Sequence, residues 1–221
     1  ELDKELVNRG LRYVRYADDC VIAVGSSASA NRVMHTITKW IEQKLGLKVN
    51  ASKTHVCRPN KLKYLGFGFY KSSQTKQWTS RPHESSVEKF QHKLKKLCRR
   101  SWSISMTDRI AMLNSVIRGW INYFAIGAMK GNMGKTDEHL RTMLRKVIWK
   151  QWKTPQKRAW GLRKLGIDND LAELTSYCGD RYEWVVRKTC VVRVISKEIL
   201  TRRGLVSCLD YYTVRHSLKT N

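Results

Sequence analysis

Asp18 and Asp19 are neighbours in the stretch "RYVRYADDCVIAVG", residues 12–25, between two apolar runs of a 221-residue chain whose formal net charge is +25. Adjacent carboxylates repel one another, and the repulsion is relieved when a cation sits between or beside them. A divalent metal suits that position. Mg²⁺ takes one or two carboxylates with waters and phosphate oxygens, and a pair of such ions can activate a 3′-hydroxyl and stabilise a departing pyrophosphate. The alternative is an Ala-Asp-Asp turn that uses Asp only because its short polar side chain favours turns.

Whichever holds, the surrounding elements must present the pair. "LRYVRY" and "CVIAVG" are rich in β-branched and aromatic residues and read as two strands of a tight hairpin with both aspartates at its tip. "ELDKELVNRG" reads as the end of a helix, with Leu2, Leu6 and Val7 on one face and Gly10 as its stop. Residues 29–45 place Val33, Ile37, Trp40, Ile41 and Leu45 at helical spacing before Gly46, so an amphipathic helix follows the hairpin. "LKVNASKTHVC" and "KLKYLGFGFY" return to strand chemistry, giving the order β-β-α-β-β.

Beyond the polar stretch "KSSQTKQWTSRPHESS" the period becomes helical. Ser85 and Glu88 form a capping-box pattern ahead of the stripe Val87, Phe90, Leu94 and Leu97. Thr107 is placed to cap a second helix (Ile110, Leu113, Ile117, Trp120, Ile121, Phe124), and Thr136 a third (Leu140, Met143, Leu144, Val147, Ile148, Trp152). After Pro155 short helical pieces are expected near 156–164, 168–177 and 180–200. Lys89, Lys93, Lys96 and Arg100 recur at three- and four-residue steps on one face, a ridge suited to phosphates or simply a solvated face. Arg158, Arg163 and Lys164 mix with Trp160 as a nucleic-acid surface would.

Composition agrees with a polyanion partner. Residues 1–80 hold 14 basic and 6 acidic groups, and residues 81–221 hold 29 and 12, so both parts are basic. Hydrophobic content of 42% supports a packed core and excludes a disordered basic tail. Six cysteines lack metal-ligand spacing and read as buried thiols of a reducing compartment. No apolar run approaches a membrane span, so a membrane role is not expected.

"YADD" between strands, then an amphipathic helix, "GLKVNASKT" and "YLGFGF", resembles in order and spacing the latter half of the palm of group II intron-type reverse transcriptases. "RGWINYFAIG" at 118–127 resembles the signature of the maturase thumb, or domain X. "WKQWKTPQKRAWGLRKLGI" and "GLVSCLDYY" are similar to the C-terminal region of bacterial intron-encoded proteins. The resemblance implies an α+β fold: a partial palm at 1–80, an all-helical thumb/maturase domain at 81–154 and a basic nucleic-acid-binding subdomain at 155–221. It implies an RNA-directed DNA polymerase with maturase function in splicing and mobility. Mg²⁺ would be its cofactor, and intron RNA, an RNA-template/DNA-primer duplex and target DNA its partners. The compartment implied is the bacterial cytoplasm, with nucleoid association on DNA.

By the same resemblance Asp18 and Asp19 are the metal-binding catalytic pair, Asp18 the more direct ligand, and Tyr16 lies beneath the primer terminus. Lys53 matches a basic residue near the incoming nucleotide, or is an ordinary surface lysine. Tyr64, Leu65, Gly66 and Phe67 match the primer-grip turn, where a residue without Cβ lets backbone approach a strand. Phe69 is read as core, as are Trp120 and Phe124. A further palm aspartate and the fingers are not present, so polymerase activity of this chain alone is not expected, nor is cleavage by an HNH-type endonuclease. The rival readings are a non-catalytic RNA-binding maturase module and a reverse transcriptase of another lineage, such as a retron or CRISPR-associated enzyme.

Overall fold

The computed structural model describes residues 1–220, which divide into two compact units, the first Glu1–Trp78 and the second from Thr79 onward. Helices and small antiparallel sheets occur together, an α+β composition.

In the first unit, α1 (Leu2–Asn8) buries Leu6 completely and ends where Gly10, at φ +64, donates its N–H to the Val7 carbonyl. Next come β1 (Arg12–Tyr16) and β2 (Asp19–Ala23), paired antiparallel from Arg12↔Ala23 to Tyr16↔Asp19. That register leaves Ala17 and Asp18 as a two-residue turn, with Ala17 at φ 51. A positive φ at the first turn position matches the right-handed twist of the strands, at some backbone strain in a residue with a Cβ. The helix α2 (Ser27–Leu45) starts two residues earlier than its apolar period suggests. Ser26 Oγ accepts from the Ser29 N–H at 3.1 Å, and Gly46 ends the helix at φ 64. Ile37 is buried, whereas Val33, Trp40, Ile41 and Leu45 are half-buried.

The strand expected over "LKVNASKTHVC" is not formed. The Asn50 side-chain oxygen accepts from the Ser52 N–H at 3.0 Å and from its hydroxyl at 2.7 Å, and this local bonding turns the backbone. A short 3₁₀ turn at Pro59–Lys61 leads to β3 (Lys63–Tyr64) and β4 (Phe67–Lys71), paired antiparallel with Tyr64↔Phe67. Leu65 at φ 49 and Gly66 at φ 80 make the intervening turn, with both central residues left-handed. A further strand, β5 (Trp78–Pro82), lies within the polar stretch that precedes the helices.

The second unit is helical after β5. In α3 (Glu84–Leu97), Phe90 and Leu94 face inward as their spacing requires, but His83 is the cap: its Nδ1 accepts from the Ser85 N–H. Ser105 rather than Thr107 caps α4 (Met106–Phe124), accepting from the Asp108 N–H at 3.0 Å. The next helix, α5 (Lys130–Gln151), begins six residues before Thr136, which is buried in its interior. Ile110, Leu113, Ile117 and Ile121 of α4 and Leu140, Leu144, Val147 and Ile148 of α5 form the centre of the core. Trp120 stacks on Phe90 at 4.4 Å and 9°, with Phe124 at 4.6 Å, so both serve packing as expected, while Tyr123 is exposed.

Then come α6 (Pro155–Lys164), capped by Thr154, and α7 (Asn169–Ser176), capped by Asp168. Gly161 permits the approach of Trp152, since a Cβ there would lie 2.5 Å from the indole ring. In place of one long helix, the stretch 180–200 holds α8 (Tyr182–Val185), α9 (Thr189–Val194) and the start of α10 (Lys197–Arg202). The last helix, α11 (Cys208–Thr220), packs on α4 and α5, so 155–220 shares one unit with 81–154. All six cysteines are free. Cys98 and Cys208 are buried, but Cys20 is exposed and the others half-buried, which corrects the reading of all six as interior thiols.

Candidate functional site

Asp18 fills the second position of the first turn and Asp19 opens β2 opposite Tyr16, and all three are exposed. Neither carboxylate has a hydrogen bond or ion pair within the described residues. Arg15, on the strand before them, is committed elsewhere. Its Nε and Nη2 donate to Asp3 Oδ1 and Oδ2 at 2.7 and 2.6 Å, and its Nη1 donates to the Ala17 carbonyl at 2.9 Å. The hydrogen-bonded pair holds the Asp3 carboxyl below the usual carboxylate range and raises the Arg15 guanidinium. One guanidinium thus braces the turn backbone against α1.

The second turn meets the first. The Tyr64 hydroxyl donates to the Asp19 carbonyl at 3.5 Å, a long hydrogen bond that joins "YLGF" to "YADD". Loss of solvent, and then the Asp19 charge, push the Tyr64 hydroxyl above its ordinary pKa. Gly66 and Phe67 are half-buried in that second turn and strand, as is Phe69. Lys53 is exposed in the turn after Asn50, and its side chain has no partner among the described residues, so nothing ties it to either turn. Carboxylates are hard oxygen donors of the kind Mg²⁺ prefers. Among the described residues, no group of three or more His, Cys, Asp or Glu could hold a metal, so the turn offers two such donors.

In the second unit Lys89, Lys93 and Lys96 are exposed along α3, the first two each one residue before the buried Phe90 and Leu94. Arg100 does not continue that ridge: it lies past the end of α3, with its guanidinium 4.0 Å from the centroid of the Tyr182 ring. Arg158 is also corrected as a surface contact. It is 5% exposed, donates to Asp180 Oδ1 at 3.2 Å and lies 5.0 Å from the Trp149 ring, because α6 turns this face inward. Arg163 and Lys164 are on the outside, Arg163 paired with Glu173 at 2.6 Å and Lys164 4.9 Å from the exposed Trp160 ring.

Several polar residues carry this unit without having been singled out from sequence. Arg109 is fully buried and donates to the Leu97, Arg99 and Trp102 carbonyls, fixing the connection between α3 and α4. Asp137 of α5 accepts from Ser207 Oγ, Cys208 N–H and Leu209 N–H at 2.8, 2.7 and 2.9 Å, capping α11 from a distance in sequence. Asn122, the polar residue inside "GWINYF", accepts from the Tyr211 hydroxyl at 3.0 Å and Arg215 Nε at 2.8 Å. Its place in the motif was the available signal, whereas nothing local distinguishes Asp137.

The reverse transcriptase (RNA-dependent DNA polymerase) family model matches residues 1–69, which contain both turns and the Tyr64–Asp19 contact. The model of the group II intron, maturase-specific domain matches residues 87–166, from α3 through α6. No curated protein matches the chain. Among the described residues, no helix is long and apolar enough to cross a membrane. A polymerase match followed in one chain by a maturase-specific match gives the assignment: the chain joins a reverse transcriptase segment to a group II intron maturase-specific domain.

Proposed function

We propose that the first unit is the catalytic part of a palm, whose Asp18 and Asp19 bind Mg²⁺ for RNA-templated DNA synthesis, and that the second unit grips intron RNA and primer–template duplex as thumb and maturase. The observation that carries the reading is the hydrogen bond from Tyr64 to Asp19, which couples a metal-suited turn to a second turn inside one polymerase-matched segment. In this reading Asp18 and Asp19 orient the metal, Tyr16 supports the primer end, Gly66 and Phe67 meet the primer strand, and Lys53 offsets phosphate charge. Bound Mg²⁺ would supply Lewis acidity to the attacking hydroxyl and departing pyrophosphate. Lys89, Lys93 and Lys96, with Arg163 and Lys164, hold phosphates. Assistance to splicing and mobility, binding of target DNA, and a cytoplasmic, nucleoid-associated place of work belong to the same proposal.

Substoichiometric Mn²⁺ tests the metal assignment: it is expected to broaden the amide resonances of Ala17 to Cys20, and Asp18→Asn with Asp19→Asn to abolish the effect. Turn resonances that stay sharp overturn it. The two-carboxylate donor set favours a second reading for the chain by itself, an RNA-binding maturase module. That reading expects binding to a structured RNA that weakens steeply with salt, and no extension of a DNA primer on an RNA template in Mg²⁺. Extension abolished by Asp18→Asn rejects it.

A further inference from the structure

A cleft of about 410 Å³ opens in the second unit between the connection leaving α3, the end of α5, α6 and the start of α8. Its lining includes five cationic side chains, Arg100, Arg109, Lys150, Lys153 and Arg158, against one carboxylate, Asp180. Two of the cations are built into the protein: Arg109 is fully buried and Arg158 is 5% exposed. The Nε–H of each is buried without an acceptor among the described residues. Besides the Trp102 ring, 5.9 Å from its guanidinium, Arg109 has only carbonyls for partners, so no acid neutralises its charge, and Asp180, the partner of Arg158, is itself 78% exposed at its side chain. Leaving a buried guanidinium partly unsatisfied is costly unless its field is used.

Aromatic groups share the lining. Trp102 is 41% exposed, and Tyr182 is held by a hydrogen bond from its hydroxyl to Asp180 Oδ1 at 2.9 Å with Arg100 over its ring. A flat ring beside concentrated positive charge fits a nucleotide, with the base stacking and the phosphodiester meeting the cations. The volume suits one nucleotide better than a duplex.

Resting on the nucleic-acid reading of this unit, we infer that the cleft is a binding site for an unpaired nucleotide of a bound strand: Trp102 stacks the base, Lys150 and Lys153 pair with the flanking phosphates, and Arg109 and Arg158 set the potential from below. It is separate from the exposed lysines of α3, and it captures single-stranded segments.

The test is binding of the full chain to fluorescent ten-nucleotide uridine RNA and thymidine DNA across a salt series. Lys150→Ala with Lys153→Ala is expected to weaken binding about tenfold and to reduce the salt slope by about 1.4. Trp102→Ala is expected to weaken it about tenfold with the slope unchanged. Lys44→Ala with Lys48→Ala, two exposed lysines of the first unit, removes the same charge elsewhere and is expected to change little. Equal losses on RNA and DNA support a shared phosphodiester site, and a loss on one strand type alone supports the site and names its strand. If the cleft lysines cost no more than the control pair, or Trp102→Ala binds as well as the parent at unchanged melting temperature, the proposal is overturned. A simultaneous loss of structured-RNA binding in Lys89→Ala with Lys93→Ala and Lys96→Ala would show that the parent reading stands while the cleft falls.

Discussion

The two units solve the problem of holding a shape in opposite ways. Of 31 buried hydrophobic side chains among the described residues, only Leu6 and Ile37 lie in the first unit, and the other 29 lie in the second. The first unit therefore relies on strand register, left-handed turns and one forked ion pair, and it keeps Asp18, Asp19 and Tyr16 at the surface. The second relies on packing, with polar interior residues such as Asp137 and Arg145 bonded across it as braces. Sparse burial goes with local opening, and in the proposed function metal and substrate would enter the unit with less to lose from exposure.

The contrast can be broken most forcefully in the packed unit. Leu144 is fully buried on α5, and Leu144→Ala is expected to destabilise the protein by about 2–5 kcal/mol in denaturant unfolding. Val14→Ala in β1, at a site 62% exposed, should leave the unfolding midpoint nearly unchanged. A comparable loss at both positions would remove the distinction.

A smaller effect is expected at Asp137, whose carboxylate accepts three hydrogen bonds from the start of α11. Asp137→Ala should cost about 2 kcal/mol, read as a lower melting temperature and faster amide exchange at Cys208 and Leu209. The smallest effect on global stability belongs to the fork between Arg15 and Asp3. Arg15→Ala should leave the main transition in place while speeding amide exchange in β1 and β2. The Asp3 carboxyl is held below its usual range, so its contribution is full above the unfolded value of about 4 and is lost as pH falls through the lowered native value. Hairpin exchange should accordingly rise in that acid range in the parent and not in Asp3→Asn.

Much of the arrangement was readable in the residues, and the failures have physical causes. The hairpin was legible because two strand-like runs flank a gap short enough to force a tight turn, and the cores of α3 and α4 were legible because a single stripe recurs at 3.6 residues. Caps were less so: Ser85, Thr107 and Thr136 have the right chemistry, but His83 and Ser105 stand where the backbone turns, and Thr136 faces inward. In "LKVNASKTHVC" the β-branched residues suggested a strand, and a side-chain bond from Asn50 overrode them. Arg158 looks like a solvated cation in a string of basic residues, and only the docking of α6 buries it. At the candidate site, "YADD" and "YLGF" could be named from sequence, whereas their meeting through Tyr64 depends on how the chain returns after α2.

The attachments of α11 have a temporal side. Asn114 donates to the Gly204 carbonyl and accepts from the Val206 N–H, while Tyr212 reaches back to Gly127 and Met129, spans of 83 to 92 residues in the chain. During synthesis α4 and α5 therefore emerge long before the helix that covers them, and the unit cannot close until residue 212 has left the ribosome. A ribosome that stalls before that point leaves an open bundle with bare apolar faces, the kind of species chaperones and proteases bind.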